Sequence, residues 1–301
     1  MDSVTASLDD LIALRARART LELGARRSSL SVQAGGYRSV YRGRGLEFDE
    51  VRNYQPGDAA RDIDWRVTAR RGKPHTKLFR EERERPVLLT TDLGATMFFG
   101  SQLLKSVQAQ RLAGLIAWAA ARAGDRIGGV VIGGEHSVAL PARPRTESVL
   151  HLLKQMQRLQ PQAPCVPVPG ALDRGLERLV HITHPGSLLP VISDFHGLGT
   201  EGERRLFRLS RYNDLLLVLV FDSLEAAPPP RGRYRVAIPG SVHDIESRGA
   251  STVRWSEVFD SHRQRLESLA RKMRAPLLLV STDDDPVQAI RYGLARHGHA
   301  A

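Results

Sequence analysis

Two aspartates close apolar runs in this chain. Asp92 follows Pro86–Thr91 (PVLLTT), and Asp194 follows Leu188–Ser193 (LLPVIS). A short apolar run bounded by polar or turn residues reads as a buried strand, so each acid is expected at a strand tip. In an open parallel sheet, ligands gather in the crevice at the carboxyl ends of the strands. Beside the first acid lies Asp92-Leu93-Gly94-Ala95-Thr96. An acid followed by small or hydroxyl residues can fold as a loop whose oxygens face one point. A hard cation such as Mg²⁺ takes oxygen ligands of that kind together with waters.

A second constellation lies upstream. Arg52, Asp58, Arg61, Asp62, Asp64, Trp65 and Arg70 alternate in sign within a turn-rich stretch, where Pro56-Gly57-Asp58 is a strong turn signal. Two readings stand side by side. The cluster can be a partner-docking face, with Arg52 and Arg61 recognising carboxylates and Trp65 anchoring the contact. It can equally be an internal ion-pair network with Trp65 as a buried wedge. The two are compatible if the network shapes an interface. His75, His181, His184 and His196 are the histidines near these residues. His196, two residues after Asp194, is the one placed for the crevice, but one histidine beside an acid is a weak basis for general-base chemistry. No G-x-S-x-G elbow, P-loop, HExxH or paired CxxC occurs.

The elements that must position these residues follow from periodicity. Residues 7–27 read as an amphipathic helix with a basic face, expected to pack on the body of the protein rather than on a membrane. Residues 36–85 read as short strands and turns. From residue 86, apolar runs at 87–91, 127–132, 188–193, 215–221 and 277–280 alternate with helical stretches near 101–123, 147–159, 170–181, 201–211, 255–273 and 286–296. Such alternation predicts a mainly parallel sheet with helices on both faces. Ser101 is the expected cap of the first of these helices, and Gly124 its end. Residues 222–250 break the rhythm with a stiff Pro228-Pro229-Pro230 loop and a hairpin-like RYRVAIPGSVHDIES. The expected organisation is a helix over 1–30, a β-rich segment over 31–85 and an α/β domain over 86–301.

Composition narrows the class. A hydrophobic share of 42% over 301 residues is ample for a packed core and excludes a disordered chain. The single cysteine, Cys165, excludes an internal disulfide and fits a reducing compartment. The start, with its acids and interrupted leucines, lacks the pattern of a secretory signal. No window approaches the ~18–20 apolar residues of a membrane span. A soluble cytoplasmic protein is expected. The net charge of +11 comes from 44 Lys+Arg against 33 Asp+Glu, is spread along the chain, and accompanies only 6% aromatics, few for base stacking. It reads as solvated arginine faces, with a nucleic-acid surface as the alternative.

The order strand, D-x-S-x-S-like loop, helix, then a later strand ending in Ser-Asp, resembles a von Willebrand factor A-type domain with its metal-ion-dependent adhesion site (MIDAS). The text GRGLEFDEVRNYQPGDAARDIDWRVTAR, followed by Lys77-Leu78-Phe79-Arg80-Glu81-Glu82, resembles the bacterial family catalogued as domain of unknown function 58 (DUF58). GDRIGGVVIGG, VISDF and VLVFDSLEAAPP extend the likeness over almost the whole chain. The resemblance implies a Rossmann-like α/β sheet with helices on both faces plus a small β-rich N-terminal subdomain. It also implies a partner: members are often encoded beside MoxR-type AAA+ ATPases, which act in remodelling or maturation of client complexes. The metal motif is degenerate. Gly94 stands where a ligand serine is expected, and Val168-Pro169-Gly170-Ala171-Leu172 lacks the expected threonine. Asp92, Thr96 and Asp194 remain as direct or water-bridged Mg²⁺ ligands.

The expected function is therefore a non-enzymatic adaptor for protein–protein interaction, whose cation completes its shell with a partner's carboxylate. The alternatives are a metal-dependent hydrolase built on Asp92, Asp194 and His196, and an arginine-driven nucleic-acid binder.

Overall fold

The computed structural model describes residues 3–23, 46–55, 63–81, 84–144, 146–238, 241–247 and 250–298. The chain divides into two compact units, one of residues 29–84 and one of residues 1–28 with 85–301.

In the smaller unit, β1 (Leu46–Asn53) pairs antiparallel with β2 (His75–Glu81), with a register shift between Phe48 and Glu50. Between them lies a helix that the strand-and-turn reading of 36–85 does not anticipate: α2 (Trp65–Arg71) in the numbering used below. Its caps are nonetheless written locally. The Asp64 carboxylate accepts from the amides of Arg66 (3.0 Å) and Val67 (3.1 Å), and Gly72 closes the far end at φ 69°.

The larger unit opens with α1 (Leu8–Arg17), capped by Ser7, whose hydroxyl accepts from the Asp10 amide at 3.1 Å. The helix is shorter than the expected 7–27: a single 3₁₀ turn follows at Ala18–Thr20, and Leu21 is extended and buried. Residues 24–27 lie outside the described residues.

Among the described residues the sheet has six strands, in the order β10-β7-β6-β3-β4-β5. They are β3 (Pro86–Leu93), β4 (Arg126–Gly133), β5 (His136–Arg143), β6 (Leu188–Ser193), β7 (Asp214–Phe221) and β10 (Leu277–Ser281). All neighbours run parallel except β5, which pairs antiparallel with β4. β5 is not among the expected strands. It carries Pro141 and is mostly only half-buried, as suits a strand that is at the edge of the sheet among the described residues.

The strands are apolar throughout because both faces are covered. In β7, Leu216, Val218 and Val220 face one core while Leu215, Leu217 and Leu219 face the other. The first core is completed by α1, α3 (Lys105–Arg122), α4 (Thr146–Leu159) and α9 (Pro286–Gly298). The second is completed by α5 (Ala171–Ile182), α6 (Thr200–Ser210) and α8 (Ala250–Met273). The helices on both faces thus match the alternation read from residue 86 onward. Between β7 and α8 lie the short α7 (Ser223–Ala226) and a hairpin, β8 (Gly232–Ile238) paired with β9 (Ser241–Ser247).

α1 is a docked element. Leu11 and Leu14 are buried in the first core, Trp118 donates its indole N–H to the Leu11 carbonyl at 3.0 Å, and Arg122 donates to the Leu21 carbonyl at 2.7 Å. Gln160 brackets the Ala6 backbone, accepting from its amide at 3.0 Å and donating to its carbonyl at 3.3 Å.

Candidate functional site at the carboxyl rim of the sheet

Parallel strands deliver their last residues to one rim. Thr91 of β3 lies in register with Ile192 of β6, which places Asp92 and the Ser193-Asp194 pair side by side. Asp222 follows β7, and Thr282 follows β10, whose Ser281 pairs with Phe221. Asp92, Asp194 and Asp222 are all buried. Carboxylates removed from water need charge or hydrogen-bond partners, and each has them.

Asp92 accepts from the Gly94 amide at 2.9 Å and from the Ser193 hydroxyl at 2.6 Å. Gly94 is fitted to that role: a Cβ there would lie 3.0 Å from Asp92 Oδ1, a tight contact that the carboxylate would have to yield to. The loop that lacks a ligand serine closes instead on its own aspartate. Asp194 Oδ1 accepts from the Thr96 hydroxyl at 3.2 Å and the His196 amide at 3.1 Å. Between Asp194 and His196, Phe195 is fully buried with φ 57°, a left-handed conformation that costs a non-glycine residue about 1–2 kcal/mol.

The remaining oxygen of Asp194 faces a lysine. Lys105, the first residue of α3, is 1% exposed, and its Nζ lies 2.9 Å from Asp194 Oδ2 and 2.7 Å from Glu225 Oε1. It also lies 5.7 Å from the Phe99 ring centroid, within cation–π range. The other oxygen of Glu225 accepts from the Asp222 amide at 2.8 Å, forming a capping box with Asp222. Asp222 accepts from the Leu224 amide (3.0 Å), from the Ser101 amide and hydroxyl (2.8 and 3.1 Å) and from the Thr282 hydroxyl (2.6 Å). Ser101 is therefore not the cap of α3. Its donors are drawn to Asp222, the Lys105 amide bonds the Phe99 carbonyl at 2.8 Å, and the helix starts at Lys105. Gly124, at φ 86°, lies just past the helix end as expected.

The charges settle accordingly. Burial and the neighbouring Asp194 raise the Asp92 carboxyl from 3.8 to about 6, against the hydrogen bonds of Ser193 and Gly94 and the charge of Lys105. Burial pushes Asp194 the same way, but Lys105 and His196 outweigh it and hold its carboxyl below the usual range. Burial would strip the Lys105 proton, yet Asp194 and Glu225 more than offset this and raise its pKa, so the lysine is a full cation. His262 of α8 packs over the site, with Nε2 2.8 Å from the Asp194 carbonyl and its ring stacked on His196 at 4.3 Å between centroids. Burial lowers its pKa.

Asp92, Thr96 and Asp194 thus meet at one rim. Their oxygens do not fit a divalent cation. Both oxygens of Asp92 and both of Asp194 are spent on donors within the chain, position 94 has no side-chain oxygen, and the positive charge beside Asp194 is already an ammonium. Among the described residues, no group of three or more His, Cys, Asp or Glu is placed to hold a metal.

The upstream cluster is only partly described. Asp64 caps α2, Arg70 is exposed, and Trp65 is 69% exposed, so it is not a buried wedge. Arg52 belongs to β1, and its side chain lies outside the described residues, as do Asp58, Arg61 and Asp62 entirely.

Reading the sequence missed Lys105, Asp222, Glu225, Thr282 and His262, and gave Ser101 the role of a helix cap instead. Two of these carried a signal. Asp222 closes the run 215–221 just as Asp92 and Asp194 close theirs. Lys105 shares the apolar stripe of Ala109, Leu112 and Ile116 at helical spacing, an inward position for a charge.

Fold and site together define an α/β protein with a mostly parallel sheet and a self-neutralised polar centre at its carboxyl rim. The chain belongs to the family described as protein of unknown function DUF58, whose family model matches residues 50–275. It is 30% identical over 275 residues to uncharacterized proteins of Mycobacterium tuberculosis (strain ATCC 25618 / H37Rv) and Mycobacterium bovis (strain ATCC BAA-935 / AF2122/97), a span of 90% of this chain and 86% of each relative. Among solved structures it is similar to the conserved hypothetical protein BatB from Bacteroides thetaiotaomicron, at TM-score 0.46 and 14% identity over 71% of this chain and 99% of that one. An aerotolerance-related membrane protein from Bacteroides fragilis NCTC 9343 is similar at TM-score 0.42 and 14% identity, with the same coverage. Likenesses this remote carry no functional argument. Among the described residues, no helix is long and apolar enough to cross a membrane.

Proposed function

We propose that this chain is a non-enzymatic adaptor of the cytoplasm that binds a MoxR-type AAA+ ATPase during remodelling or maturation of client complexes. One observation carries the non-enzymatic half of this reading: the rim acids are consumed by the protein itself. Asp92, Asp194, Asp222 and Glu225 each spend both carboxylate oxygens on donors of the chain. A catalytic carboxylate must exchange a proton or form a bond with a substrate, and these are engaged in holding loops together. The class of partner rests on the family resemblance, and the domain type on the von Willebrand factor A-like order of strand, loop and helix.

Co-expression of the tagged chain with a MoxR-type ATPase from the same genome, trapped with a slowly hydrolysed ATP analogue, tests the proposal. A stoichiometric complex on size exclusion is the expected result. No complex with any such ATPase, or turnover of phosphoester or peptide substrates that is lost in Asp194→Ala, would overturn it.

A further inference from the structure

The network around Asp194 has the architecture of a cation site and holds its cation covalently. Two carboxylates from different segments, Asp194 after β6 and Glu225 in α7, converge on one point, and Asp92 lies beside them at the end of β3. The point is occupied by the Lys105 ammonium, at 2.9 and 2.7 Å from the two acids. Its side chain is 1% exposed, and that of Asp194 is 2% exposed. The Phe99 ring faces the same ammonium, and Thr96 donates to the other oxygen of Asp194, so the surroundings of the lysine cation are two carboxylate oxygens and a ring.

We infer that Lys105 is the resident cation of this site, supplying in place of a divalent metal ion the positive charge that joins the loops after β3, β6 and β7. The physics behind this is general. Buried carboxylates brought together repel one another and are held only by a counter-charge, which a metal or an ammonium can supply. An ammonium offers three directed donors and one charge. Because it is tethered to α3, it cannot be lost to chelators or to low metal concentration. The site should therefore be indifferent to metals, and removing the tethered charge should create a demand for one. The inference is independent of the adaptor reading, since it concerns what holds the rim and not what the rim binds.

Thermal unfolding and calorimetric titration test it, using MgCl₂ and MnCl₂ as probes, with NaCl of matched ionic strength and EDTA as controls. The wild-type midpoint should be the same in EDTA and in ~10 mM Mg²⁺, with no saturable heat. Lys105→Ala should lower the midpoint by about 5–15 °C in EDTA and regain part of that loss in Mg²⁺ or Mn²⁺ but not in NaCl. If Lys105→Ala folds only with a divalent cation present, the inference is equally supported. Saturable Mg²⁺ or Mn²⁺ binding by the wild type that disappears in Asp194→Ala would overturn it, whatever the variant does. So would a Lys105→Ala protein as stable as wild type, or one that no divalent cation restores.

Discussion

Asp92 and Asp194 meet the same difficulty, a negative charge in an apolar interior, and resolve it oppositely. Asp194 keeps its charge because the Lys105 ammonium touches it; Asp92 has only neutral donors in contact, and burial with the neighbouring Asp194 raises it from 3.8 to about 6. For a carboxyl whose pKa is raised on folding, the native state takes up the extra proton. The associated stability is complete below about pH 4 and is lost as the pH climbs through about 6. Asp194 has the reverse sign: its contribution is present above the ordinary carboxylate range and is lost only as the pH falls through its depressed value. Asp92→Asn deletes the first titration. Between about pH 4 and pH 7 the stability of Asp92→Asn relative to wild type should rise by about 3 kcal/mol, read by urea unfolding at each pH. A difference that stays constant across that window would show that Asp92 does not titrate in it.

Among the elements, α1 and the start of α3 show how tertiary contacts edit local signals. Ser101 has the residue type of a cap, but Asp222 takes both of its donors, and α3 begins four residues later. The 7–27 periodicity shortens to α1 because Leu21 reaches the first core from an extended backbone. α1 is nevertheless docked on the core, with Leu11 fully buried beneath the Trp118 bond to its carbonyl. Leu11→Ala should cost about 2–5 kcal/mol in chemical denaturation, the range for a buried leucine that leaves a cavity. A loss under about 1 kcal/mol would mean that α1 is a peripheral arm.

For the molecule as a whole, the surplus of +11 is the broadest feature, and its arginines are partly spent internally. Arg85 pairs with Asp214, Arg205 with Glu177, Arg265 with Glu203, and Arg263 with Asp260 and Glu267. Partly exposed pairs of this kind contribute modestly to stability, yet they remove cations from any stripe that could follow a phosphate backbone. We expect duplex DNA to show at most salt-labile retention, gone by ~0.15 M NaCl in a mobility-shift assay. A sequence-selective shift persisting there would revive nucleic-acid binding.

By itself the sequence determined the alternation of strands and helices, and with it the mostly parallel sheet and the arrival of Asp92 and Asp194 at strand tips. That information is local: a strand buried on both faces must be an unbroken apolar run, and a helix between two such runs must carry a stripe. The edge strand β5 and the helix α2 were not legible because one carries a proline and sits half-exposed, while the other, of seven residues, shows only its caps. Only the tertiary structure decided which charge answers the acids. Lys105 lies 89 residues from Asp194 and 120 from Glu225, and such approaches are set by strand order and helix packing, not by spacing along the chain. A lysine on an apolar stripe is an expensive residue until folding brings two carboxylates to it, and no local pattern records that they will come.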